Sequence, residues 1–110
     1  MPFDDQQPGT VELLEPEQHV KHESLWMVLL HDDDLHTYEY VVFMLIRIFS
    51  MSMDQAFAHA CEVDADGVTI VASLPREEAH NKRDAIHSFG GDPLLGTSVS
   101  MQASVEPIEG

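Results

Sequence analysis

Apolar and polar residues change places sharply along this chain. Leu25 to Leu30 is an unbroken apolar run that closes in a polar knot, His31-Asp32-Asp33-Asp34-Leu35-His36. A short apolar run ended by a charged turn reads as a buried strand, expected over 24–30. Tyr38, Val41, Val42, Leu45, Ile48 and Phe49 then fall at helical spacing, so the acidic loop leads into a helix over Tyr38 to Phe49. That helix is apolar nearly all round, with Glu39 and Arg47 as exceptions, which predicts a central position. His36 or Thr37 is its expected N-cap, and Asp32 to Asp34 sit just before the positive end of its backbone dipole.

Ser52 followed by Gln55 is a capping box for a second helix, expected to run to about Val63. Ala56, Ala58 and Ala60 would let it pack closely on a neighbour. Asp66-Gly67 is a turn, and the β-branched run Val68 to Ser73 is a second strand. Pro75 suits the first turn of a third helix, expected to reach Phe89 before Gly90-Gly91 ends it. After the Asp92-Pro93 turn, Thr97, Val99, Met101, Ala103 and Val105 alternate with Ser98, Ser100, Gln102 and Ser104, the pattern of a half-solvated third strand. The order β-α-α-β-α-β predicts a small α+β domain, a three-stranded antiparallel sheet packed against three helices. Residues 1–23 differ in kind. Pro2, Pro8, Gly9 and Pro16 stand among acids and glutamines with too few apolar residues for a core, so a mobile N-terminal extension is expected ahead of one domain over 24–110.

Composition narrows the function. With 110 residues the chain suits one small domain, and a formal charge of -15 opposes partners that need a basic surface, nucleic acid and anionic membranes among them. The single cysteine, Cys61, excludes an intramolecular disulfide and cysteine-based metal frameworks, and is expected to be a packed structural residue. No apolar run is long enough to span a bilayer, and the N-terminus lacks the pattern of a signal peptide, so a cytoplasmic protein is expected.

Candidate chemistry centres on the acids. Asp32, Asp33 and Asp34 are hard oxygen donors that suit a divalent cation, with His31 and His36 as nitrogen donors, but the same run also serves as a solvated loop before a helix. Glu62-Val63-Asp64-Ala65-Asp66-Gly67 begins like a calcium loop, yet the place of the bidentate glutamate falls on Ser73, inside the second strand. No GxSxG elbow or glycine-rich phosphate loop is present. His59, His80 and His87 fall on predicted helices and read as surface residues. An enzyme is the weaker class, and no metal or cofactor is expected.

At this point the residues resemble a known family. Asp32-Asp33-Asp34-Leu35-His36-Thr37-Tyr38-Glu39-Tyr40-Val41-Val42, with Phe49 closing the helix, is similar to the centre of ClpS, the adaptor of the ATP-dependent Clp protease. Downstream, Ala56, Gly67, Glu77, Lys82 and Pro93-Leu94-Leu95 match family positions in collinear order, after a shortening near Gly90. The resemblance spans Ser24 to about Thr97. It implies the same β-α-α-β-α-β domain and an adaptor that is not an enzyme. Such an adaptor binds proteins beginning with a bulky apolar residue and hands them to the N-terminal domain of a ClpA- or ClpC-type AAA+ unfoldase.

By that resemblance Asp32, Asp33 and Asp64 would hold the free α-amino group. Asp34, His36, Tyr38, Val41, Ala60, Val63 and Leu94 would surround the first side chain, while Glu77 and Lys82 would dock the unfoldase. An α-amino group with an ordinary pKa near 8 is mostly cationic at neutral pH, which suits carboxylate acceptors. Four positions depart from the family pattern. Asp32 stands for its Asn, Asp64 for its His, Tyr38 for its gating Met and Ala60 for a second Met. Clustered carboxylates predict binding sensitive to pH and salt, and the changed walls predict a shifted preference among Phe, Leu, Tyr and Trp. Two alternatives stay open: a divergent member that keeps the unfoldase contact with altered or lost degron binding, and an acidic cation-binding module. A monomer is expected.

Overall fold

The computed structural model describes residues 24–108, so the expectation of a mobile extension over 1–23 lies outside the described residues. The element order is β1 (Leu25–His31), α1 (Tyr38–Phe49), α2 (Met53–Asp66), β2 (Val68–Pro75), α3 (Arg76–His87) and β3 (Gln102–Pro107). The three strands form one antiparallel sheet in the order β2-β1-β3, with β1 in the middle.

Period-two burial sets the sheet's orientation. Val28 and Leu30 of β1, Thr69 and Val71 of β2 and Ala103 of β3 are buried, whereas Ile70 between its two buried neighbours is exposed. One face therefore carries the core and the other is open. Against the covered face lie Tyr40, Val41, Met44 and Leu45 of α1, Ala56 and Ala60 of α2, and Ala79 and Ile86 of α3. A bulge interrupts the β1–β2 register, where Val28 pairs with Ala72 and Leu29 with Ile70, leaving Val71 as the extra residue.

The helix ends follow their local chemistry. Thr37, not His36, is the N-cap of α1, its side chain accepting from Tyr40 N. Ser52 and Gln55 form the expected reciprocal capping box on α2. Helix α2 runs past the expected end at Val63 to Asp66 and is closed by Gly67 in the left-handed region, φ 84°. Glu62, Asp64 and Asp66 are thus helical and cannot wrap a cation as a calcium loop does.

The C-terminal third differs from the expectation. Strand β3 begins at Gln102, because residues 97–100 spend their polar groups on the loop before α1 and on the end of α3 rather than on a ladder. Thr97 Oγ1 donates to Leu35 O, the Val99 carbonyl accepts from His36 Nε2, and Ser100 Oγ accepts from Gly90 N. Gly91 allows this crossing, since a Cβ there would overlap the backbone of Thr97 and Ser98. The third helix is shorter than expected, and Pro75 ends β2 and serves as its N-cap. Strand β2 extends two residues beyond Ser73, and β1 is displaced by one residue to Leu25–His31.

Candidate functional site

The residues that follow β1 and α2 meet. Asp32 N donates to Gly67 O at 3.0 Å, pinning the start of the acidic loop to the cap of α2. One helical turn back from that cap stands Asp64, on the side that faces the first residue of α1. There Tyr38 Oη donates to Asp64 Oδ2 at 2.6 Å. The Tyr38 ring lies against Phe57, one face further along α2, with centroids 6.0 Å apart. Asp64, Cys61 and Asp32 all bear on the phenol. The hydrogen bond to Asp64 acts first, then partial desolvation and the nearby negative charges, and together they push the Tyr38 pKa up to about 12. The place where β1, α1 and α2 meet, the acidic cleft, thus holds the Tyr38 hydroxyl on Asp64, with Asp32 near enough to act on it by charge.

Asp33 is turned to a different task. Its Oδ1 accepts from Leu35 N at 2.9 Å, and its two oxygens lie 2.7 and 3.0 Å from His36 Nδ1. The other ring nitrogen of His36 reaches Val99 O at 2.7 Å, and the ring lies tilted against Tyr40 with centroids 4.4 Å apart. Each ring nitrogen of His36 thus faces an oxygen acceptor, a carboxylate on one side and a carbonyl on the other. The ring is 1% exposed and ties the acidic loop to the segment before β3. Asp34 is exposed in the same loop.

The residues expected around a first side chain divide into three groups. Val41, Ala60 and Val63 are buried in the domain interior. Tyr38 is 40% exposed above them at the acidic cleft. Leu94, 65% exposed, lines a groove of about 510 Å³ with Phe43, Arg47 and Phe89, on the opposite side of Phe43 from Tyr38. Of the expected docking pair, Glu77 is exposed on the first turn of α3, while Lys82 Nζ donates to Ile48 O at 2.8 Å and lies over the Phe49 ring. Cys61, expected to be packed away, is only half-buried, because it stands on the α2 face turned towards Tyr38 of α1 rather than on the core face. Two of the scattered histidines are built into the structure. His59 Nδ1 pairs with the buried Thr69 hydroxyl, and His87 Nε2 accepts from Ala103 N.

Two residues that matter here escaped the sequence reading. Asp92 is 1% exposed, and its Oδ2 accepts from Thr37 N at 2.6 Å while Oδ1 accepts from Leu94 N at 2.9 Å. Burial alone would raise its pKa, but the hydrogen bonds from Thr37 and Leu94, helped by His36, outweigh it and hold the carboxyl below the ordinary range. The Asp-Pro turn signal was visible; the long-range partner was not. Phe57 was the other, legible only as a residue seven before Asp64 on one helix face.

A small α+β domain that sets carboxylates beside an exposed tyrosine fits a binding module. The comparisons identify which kind. Residues 21–95 match the family described as ATP-dependent Clp protease adaptor protein ClpS, and the chain belongs to that family. It is 34% identical over 95 residues to the ClpS adapter of Lawsonia intracellularis, covering 84% of this chain and 86% of that one. With the ClpS adapter of Desulfatibacillum aliphaticivorans it shares 36% over 85 residues, covering 74% and 82%. Its fold matches the solved structure of Agrobacterium tumefaciens ClpS2 bound to L-phenylalaninamide, with a TM-score of 0.69, 24% identity, 79% of this chain and 100% of that chain. The chain is accordingly a non-catalytic adaptor of the ATP-dependent Clp protease. No helix among the described residues is long and apolar enough to cross a membrane.

Proposed function

We propose that this adaptor takes the free N-terminus of its substrate at the Asp32–Asp64 cleft, with Tyr38 as the gate. The ammonium lies between the two carboxylates, and Asp33, held by His36, adds charge and fixes the loop. The first side chain enters beside Tyr38 over Val41, Ala60 and Val63, with Asp34 near the opening, whereas Leu94, in a groove that Tyr38 does not line, and His36, held by Asp33 and Val99, stand away from it. Glu77 and Lys82 lie on the side that meets the N-terminal domain of a ClpA- or ClpC-type unfoldase, and the adaptor works as a cytoplasmic monomer.

The observation that carries this reading is the hydrogen bond from Tyr38 Oη to Asp64, beside Asp32. A donor already sits where an ammonium would donate, so the cleft has the acceptors such a ligand needs. The same bond favours a second reading, an adaptor that keeps the unfoldase contact but whose gate stays shut against degrons.

Fluorescence anisotropy separates the two. Short labelled peptides beginning Phe, Leu, Trp or Ala would each be tested with a free and an acetylated N-terminus. Binding of the bulky free N-termini, lost on acetylation and weak for Ala, is the expected result. No binding by any of them, with the unfoldase still captured, would establish the shut gate instead.

A further inference from the structure

We infer that the trough between α1 and α2 is a second subsite, which takes an apolar side chain of the bound segment a few residues after its free N-terminus. This rests on the amine-site reading above and extends it along the same helices.

Tyr38, Val42, Phe43 and Ile46 of α1 face Met53 and Phe57 of α2 across a groove of about 650 Å³. Phe43 is 51% exposed, Met53 67% and Phe57 51%. The core beneath is already closed by Val41, Met44, Leu45, Ala56 and Ala60, so these side chains stay outside it. Contiguous exposed apolar groups mark an interaction surface on a soluble domain. They are the more telling on a chain of formal charge -15.

Continuity names the occupant. Met53, Phe57, Cys61 and Asp64 form one stripe along α2, so the trough runs straight into the acidic cleft. Tyr38 is common to both, its hydroxyl on Asp64 and its ring on Phe57. Seven residues of helix from Asp64 back to Phe57 span about 10 Å. An extended segment covers that in about three residues, so the third or fourth side chain of a bound substrate arrives over Phe57.

Charge points the same way. Glu39 and Asp54 border the trough. The nearby cation, Arg47, is stacked on the Phe43 ring at 5.2 Å. A second copy would bring the same acids against themselves, whereas a segment with a basic residue beside its apolar one meets complementary charge.

The test compares two labelled peptides on the full chain, both beginning with Phe and carrying a free N-terminus. One has Leu-Arg at the third and fourth positions, the other Gly-Ser. Phenylalaninamide serves as the short ligand. The wild-type protein is expected to prefer the Leu-Arg peptide by about tenfold, consistent with partial burial of one apolar side chain. Met53→Ser and Phe57→Ser each bring that ratio towards one. A wild-type ratio of one, with both peptides bound, overturns the subsite alone. Failure of phenylalaninamide and both peptides to bind overturns the amine site and the subsite together. A dimer in sedimentation that Phe57→Ser dissolves would assign the trough to a second copy and overturn the proposal as well.

Discussion

Tyr38 and Asp64 sit 26 positions apart and share a hydrogen bond of 2.6 Å across the mouth of the acidic cleft. Both stand at positions where the family resemblance implies other residues, and here they pair with each other. A carboxylate at this end of α2 accepts, a phenol at the start of α1 donates, and the pair closes the gap between two helices. In the proposed binding mode a ligand ammonium competes with that hydroxyl for Asp64. Removing the hydroxyl alone should therefore help binding. Tyr38→Phe is expected to tighten phenylalaninamide binding about fivefold, the equivalent of one ordinary hydrogen bond no longer competing. Calorimetry on both proteins checks this, and weaker binding by the variant would show that the hydroxyl assists the ligand.

The same bond predicts the behaviour of the phenol at high pH. Tyr38 ionises at about 12 in the folded protein against an ordinary 10.0. Between those values the unfolded chain has lost a proton that the folded chain retains, so ν is smaller in the unfolded state and stability falls as pH rises. The contribution is complete below pH 10 and lost as pH passes about 12. Phenolate absorbance should show one of the two tyrosines titrating late for this reason, with Tyr40 also raised, chiefly by burial. Asp64→Asn should return the Tyr38 titration towards its ordinary value; no movement in that variant would remove Asp64 as the cause.

Asp92 holds the loop that carries Leu94 onto the start of α1. Asp92→Ala leaves the N–H groups of Thr37 and Leu94 without their acceptor, which should cost about 1–3 kcal/mol at neutral pH. The acid limb has a definite sign. The folded carboxyl titrates below the ordinary 3.8, so its contribution is present above that value and lost as pH falls through the folded pKa. Urea unfolding across that range should show the wild-type advantage over Asp92→Ala shrinking only in strong acid. An advantage that is constant with pH would mean the charge on Asp92 is not what the loop uses.

What the sequence disclosed and what it withheld divide by range. Strands and helices with a strong period appeared within a residue or two, as at Tyr38–Phe49, because burial on one face is written into neighbouring positions. The alternation from Thr97 to Val105 misled over its first half. Period two describes a strand only where a partner's ladder is within reach, and Thr97, Val99 and Ser100 bond to Leu35, His36 and Gly90 instead. The acids Asp32 and Asp64 could be named from their places in the resemblance. The bond from Asp32 N to Gly67 O and the Tyr38 latch on Asp64 are tertiary contacts that no local pattern encodes, and the turning of Asp33 to His36 depends on the path of the loop between them.

Glu77 and Lys82 are coupled in the family resemblance but hold different positions in this fold, and their variants should behave differently. Lys82 Nζ donates to Ile48 O at the end of α1 and sits 5.6 Å from the Phe49 ring centroid, so it helps satisfy a helix terminus. Truncating it removes a charged donor from a carbonyl and a cation from a ring. Lys82→Ala should lower stability by about 1 kcal/mol and the Tm by about 4–8 °C. Glu77 is exposed, so Glu77→Ala should leave stability within about 0.5 kcal/mol. Thermal melts of both variants, run alongside capture by the unfoldase N-terminal domain, test the docking role free of this confusion. Loss of capture by Glu77→Ala with an unchanged melt would place that carboxylate in the interface. If only Lys82→Ala lost capture, and Lys82→Arg restored the melt without restoring capture, the contact would belong to the ammonium itself, freed from Ile48 on docking. Full capture by Glu77→Ala and Lys82→Ala alike would move the unfoldase to another face of the domain.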